Sequence, residues 1–85
     1  MDNIQQNSDW LRLQAIIEYA GCRSVNEFSV RIGLTRAERL YRIKRGQSRV
    51  SRAMVDIVAR HLPEISKGWL LTGEGAMLLD NSAQH

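Results

Sequence analysis

The stretch SVNEFSVRIGLTRAERLYRIKRG, running from Ser24 to Gly46, decides the fold. It holds two capping boxes, Ser24-Val25-Asn26-Glu27 and Thr35-Arg36-Ala37-Glu38. In such a box the hydroxyl accepts from the third helical amide while the glutamate reaches back to the amide of the cap, so each box predicts a helix start. Two starts this close require a turn between them, and Gly33 supplies a residue able to take positive φ and end the first helix. Val25, Phe28 and Ile32 then share one face of that helix. In the next, predicted over about 35–45, Ala37, Leu40 and Ile43 form the buried face, and Gly46 is the stop. With Leu40 at the centre of that face and about 100° per residue, Thr35, Glu38, Arg39, Arg42 and Arg45 point to water, with Arg36 and Lys44 nearer the edges. Two helices joined by a tight glycine turn, the second basic on its outer face, describe a helix-turn-helix.

Outward from this pair the apolar residues keep helical spacing. Trp10, Leu13, Ile16, Ile17 and Ala20 predict a first helix, capped by Ser8 or Asp9 and stopped at Gly21. After the loop Gln47 to Val50, Ser51 caps a fourth helix with Met54, Val55, Val58 and Leu62 inward, ended by Pro63. A short fifth helix from about Ser66 carries Trp69, Leu70 and Leu71 and closes at Thr72-Gly73. No alternating strand pattern of useful length is present. The expectation is an all-α, compact five-helix domain over 9–79, with 1–8 a flexible N-terminus and 80–85 a flexible tail or the start of a linker.

Charge is unevenly spread. From Arg36 to Arg52 there are seven bases (Arg36, Arg39, Arg42, Lys44, Arg45, Arg49 and Arg52) against one acid, Glu38, a formal +6; the remainder carries five bases and eight acids, −3. A cationic stripe on an acidic body is the electrostatic footprint of a protein that lies against a polyanion. A solvated face selected for solubility is the bland alternative. Against it, six of the seven bases are arginine, whose planar fork matches phosphate and guanine edges better than the point charge of lysine. The lone Cys22 excludes an internal disulfide and fits a reducing, cytoplasmic setting. No apolar run approaches the ~20 residues of a membrane span. A chain of 85 residues leaves little room for both a core and an enzyme cleft, which favours a binding module over an enzyme.

The order Phe28-Ser29, Ile32-Gly33-Leu34, Leu40, Ile43 and Gly46, followed by Trp69-Leu70-Leu71-Thr72-Gly73-Glu74-Gly75, is similar to the lambda-repressor-like helix-turn-helix family of phage CI-like repressors and Xre-type regulators. The likeness covers about 10–79. One departure stands out. The family pattern places apolar residues five and eight positions after the residue matched to Leu34; here those are Arg39 and Arg42, and the apolar pair is displaced to Leu40 and Ile43. The turn is therefore expected to be one residue longer, or helix three to start one residue later. The family also often has an acid at the place of Lys44 and a glutamine opening helix three.

The resemblance implies a cytoplasmic, sequence-specific transcription regulator, a phage-type repressor, whose third helix enters the major groove of double-stranded DNA. Arg39 and Arg42 are then the candidates for guanine readout, at roughly 1–3 kcal/mol of discrimination per bidentate pair. Arg36, Arg45, Gln47, Ser48 and Arg49 are assigned to phosphates, and Thr35 lies on the same outer side. Glu38 either completes the capping box or accepts from a cytosine amine. Ser24 and the helix-two amides are further phosphate candidates. Relatives normally pair as homodimers on half-sites one turn apart. Met77-Leu78-Leu79 and the region of Trp69 are open to two readings, dimer contact or core cover. The chain carries no evident cofactor, metal site, small-molecule substrate or catalytic group. Cys22, His61 and His85 lack zinc spacing, and Gly73-Glu74-Gly75 lacks the strand and lysine of a phosphate loop. A competing reading is a helix-turn-helix protein-interaction module, an antitoxin or anti-regulator, in which the apolar tail matters more than Arg39 and Arg42.

Overall fold

Leu13, Ile16, Phe28, Leu40, Val58 and Leu70 have no solvent exposure, and each comes from a helical stripe read in the sequence. The computed structural model describes residues 7–79. Within them it is an all-α globule of five helices: α1 Ser8–Tyr19, α2 Val25–Arg31, α3 Glu38–Lys44, α4 Arg52–His61 and α5 Lys67–Thr72. One buried cluster joins them, with Trp10, Val25, Leu34, Trp69 and Met77 packed on its margin. α1 packs on α3 and α5, α2 on α3, and α4 on α5. Helices this short are marginal alone, so the shared apolar faces hold them in place. None of the described helices is long and apolar enough to cross a membrane.

Local chemistry sets most of the ends. Ser24, Ser51 and Ser66 each accept from the third amide onward, at 3.0, 3.2 and 3.2 Å, which places the starts of α2, α4 and α5 as the sequence predicts. α2 ends in a Schellman motif: Gly33, at φ +78°, donates to the Val30 carbonyl and Leu34 to that of Ser29. α3 ends the same way, with Gly46 at φ +81° donating to Ile43 and Gln47 donating to Arg42.

Three expectations are corrected. The cap of α1 is Asn7, whose side chain accepts from the Trp10 amide, and not Ser8 or Asp9. Asn7 and Ser8 thus belong to the folded unit and not to a frayed start; residues 1–6 and the tail 80–85 lie outside the described residues. The Thr35 box does not form. α3 begins at Glu38 with Ala37 as its cap and no side-chain capping bond, two residues later than the box predicts, so helix three spans 38–44 and not about 35–45. The reason is tertiary. After the Gly33 turn, half-buried Leu34 is held against the core, and residues 35–37 carry the chain round so that Leu40 and Ile43, 0% and 2% exposed, land inward.

The Met77-Leu78-Leu79 segment runs antiparallel beside 64–66. Ser66 donates to the Met77 carbonyl and Leu79 to that of Glu64, both at 2.8 Å, framing an isolated bridge between Ile65 and Leu78. Met77 packs on the core while Leu78 and Leu79 stay exposed.

Candidate nucleic-acid interface

The buried pair Leu40 and Ile43 fixes the rotation of α3, and this turns Glu38, Arg39, Arg42 and Arg45 outward. All nine residues singled out in the sequence (Thr35, Arg36, Glu38, Arg39, Arg42, Arg45, Gln47, Ser48 and Arg49) are solvent-exposed. They occupy three settings. Thr35 and Arg36 lie in the turn before α3, so neither is a helical residue. Glu38, Arg39 and Arg42 project from α3, with Arg45 as its C-cap. Gln47, Ser48 and Arg49 form the loop to α4. Glu38 makes no capping bond; its exposed carboxylate in the first turn lies at the positive end of the helix.

Most of these cations have no carboxylate beside them among the described residues. Among the described residues, Arg36, Arg39, Arg42, Arg45 and Arg52 have no carboxylate within 4.0 Å; the ion pairs are Arg12–Asp9, Arg49–Asp9 and Lys67–Asp56. Arginines without counterions on one face keep a positive potential directed at solvent.

Two clefts flank α3. On one side Arg39, Arg42, Ile43, Ser48, Arg49, Ser51 and Met54 surround about 190 Å³ between α3 and the start of α4. Arg39 and Arg42 therefore line the same cleft as the loop arginine, together with the Ser51 end of a ten-residue helix with no acid in its first turn. On the other side Trp10, Ile17, Cys22, Arg23, Ser24, Tyr41 and Lys44 are among the residues around about 380 Å³ between α1, the start of α2 and α3. The Lys44 ammonium stands 5.8 Å from the centre of the Trp10 ring and 6.0 Å from that of Tyr41, within cation–π range.

The second cleft contains what the sequence alone did not place. Arg23, sixteen or more residues from most of the cationic stripe along the chain, is brought beside Lys44 and Tyr41 by the packing of α1, α2 and α3. Two polar residues at the start of α1, its cap Asn7 and Asp9, were also missed. The Asn7 amide donates to the carbonyls of Ile43 and Lys44 at the end of α3. Asp9, 5% exposed, accepts from the Val50 amide at 2.9 Å and from Arg12 at 2.8 Å, and lies 3.5 Å from Arg49 Nε. A carboxylate on the first turn of a helix normally reads as a dipole partner or cap; Val50 lies 41 residues further along the chain with Arg49 just before it, and no local pattern announces either.

No family model matches the chain, and neither a curated protein nor a solved structure matches it.

Proposed function

We propose that α2, the turn through Gly33 and α3 act as a helix-turn-helix of the lambda-repressor-like kind, and that the chain is a sequence-specific DNA-binding transcription regulator, a repressor working as a homodimer. The observation that carries this reading is the outer face of α3. Its arginines are exposed and have no carboxylate partners among the described residues, while Leu40 and Ile43 are buried.

In this reading α3 enters the major groove, which admits a helix and presents a distinct pattern for each base pair. Arg42 and Arg39 meet guanine edges with paired N–H donors, and Glu38, released from capping, is available to a cytosine amine. The flanking clefts take the two phosphate backbones. Ser48, Arg49 and the Ser51 end of α4 serve one strand; Arg23, Ser24 and Lys44 serve the other. Arg36 and Arg45 contribute at the two ends of the reading helix. A single domain of this size covers few base pairs, so two copies on half-sites about 34–36 Å apart supply adequate specificity. The chemistry is recognition throughout, with no catalytic step.

Selection of binding sites from random duplexes, run at stated salt, tests the reading. A recovered two-fold symmetric motif that disappears when Arg39 and Arg42 are both replaced by alanine supports it. Recovery of no motif, or of the same motif from the double variant, overturns it.

A further inference from the structure

The geometry points to Asp9 as a positioning residue for the cationic loop between α3 and α4, with Arg12 holding Asp9 in place. Both are on α1, and neither belongs to the proposed contact surface, on whose reading this inference rests.

The loop Gln47–Arg49 is exposed throughout and leads into buried Val50. Val50 is 5% exposed, so its amide needs a partner inside the protein. That partner is Asp9 Oδ2, at 2.9 Å. Among the described residues this is the one hydrogen bond that ties 47–50 to an element other than α3 and α4. The same oxygen lies 3.5 Å from Arg49 Nε, although the Arg49 side chain remains 86% exposed and open to an outside anion. The other oxygen, Oδ1, accepts from Arg12 at 2.8 Å. Arg12, with its side chain 12% exposed, also donates Nε to the Leu70 carbonyl of α5 at 3.0 Å. Asp9 is thereby locked in one rotamer between a fixed guanidinium and the loop amide.

A full carboxylate suits this place because two donors, Arg12 and the Val50 amide, bond to it and the Arg49 guanidinium lies beside it. Charge-assisted bonds of this kind are about twice as strong as neutral ones. Asparagine offers one acceptor oxygen and turns an N–H₂ group toward one of these donors. In Asp9→Asn the loop is expected to lose its anchor and Arg49 its alignment with Arg39 and Arg42 across the cleft.

Two measurements on the full chain test this. In the free protein, hydrogen exchange should show Val50 losing at least about tenfold protection in Asp9→Asn, with shifts at 47–50, while amides such as that of Val58 keep their protection. On duplex DNA, the slope of log K against log salt should fall by about one, the amount for one lost phosphate contact. Arg49→Ala should lower it equally, and the Asp9→Asn/Arg49→Ala double variant no further. Arg12→Gln, which leaves Asp9 and the loop intact but frees the carboxylate, should reproduce the Val50 effect and serves if Asp9→Asn does not fold. An unchanged Val50 amide in a folded variant, or a lower melting temperature with an unchanged salt slope, overturns the positioning role. Failure of the wild-type chain to bind any duplex overturns the proposed function instead, and the exchange result still decides the role of Asp9.

Discussion

The side-chain amide of Asn7 donates to the backbone carbonyl of Ile43 and so joins the first turn of α1 to the last turn of α3. Its oxygen accepts from the Trp10 amide at 3.3 Å, and its nitrogen also reaches the Lys44 carbonyl at 3.2 Å. One side chain thus satisfies a donor at one helix start and acceptors at another helix end. The arrangement needs an amide, because a hydroxyl is too short and a carboxylate cannot donate.

Asn7→Asp separates the two roles. Aspartate caps α1 as well as asparagine does, but it sets a negative charge against the carbonyl end of α3, where the helix dipole is also negative. A net loss of about 1–2 kcal/mol is expected, read as a lower urea midpoint with an unchanged m-value. Stability equal to that of the wild type would show that the link to Ile43 contributes nothing.

Leu40 and Arg42 stand two residues apart on α3 and should behave oppositely. Leu40 is fully buried, and Leu40→Ala is expected to cost about 2–5 kcal/mol as a cavity opens. Arg42→Ala, on the exposed side, should change stability by no more than about 0.5 kcal/mol while weakening DNA binding at least tenfold. Thermal melts and binding isotherms of both variants measure the separation between folding and recognition.

Much of this separation was legible in the sequence. The phase of Leu40 and Ile43 alone placed Arg39 and Arg42 outside, and Ser24, Ser51 and Ser66 are caps because serine followed by an apolar stripe is a local signal. The Thr35 box misled because it is equally local: Leu34 is held against the core just before it, and residues 35–37 serve as the connection to α3. Asn7, Asp9 and Arg23 were not legible as parts of the site, since each acts on residues brought near only by tertiary packing. An asparagine or aspartate ahead of an apolar stripe looks the same whether it caps its own helix or grips another.

Gly33 and Gly46 both end helices in the left-handed region, but their surroundings differ. A Cβ at Gly33 would meet the His61 ring at 3.4 Å, whereas one at Gly46 meets nothing within 4 Å. Each change to alanine should cost about 1–2 kcal/mol from backbone conformation. The approach to the exposed His61 ring is an ordinary van der Waals distance, so Gly33→Ala and Gly46→Ala are expected to cost about the same, and adding His61→Ala should give no relief. A larger loss at Gly33 that His61→Ala relieves would contradict this.

The Tyr19 hydroxyl donates to Glu64 at 2.7 Å. This bond, followed by a backbone contact and the nearby Arg31 charge, holds the Glu64 carboxyl below its ordinary range. It also raises the Tyr19 phenol, with some desolvation and the charge of Glu64 adding to the effect. The lowered carboxyl contributes stability above the unfolded carboxylate range, lost as pH falls through the folded value. The raised phenol contributes stability below the unfolded phenol range, lost as pH rises through the folded value. Tyr19→Phe should therefore lower the melting temperature between these limits and converge with the wild type at both extremes. A pH-independent difference would contradict the pairing.

The most direct test of the DNA-binding account is the affinity for a selected duplex across a salt series, for the wild type and for Arg39→Ala/Arg42→Ala. A linear fall of log K with log salt at a slope of several units is expected, as phosphate contacts release counterions. The double variant should bind selected and scrambled duplexes alike. A shallow slope with no base preference in the wild type, or full discrimination retained by the double variant, would contradict the account.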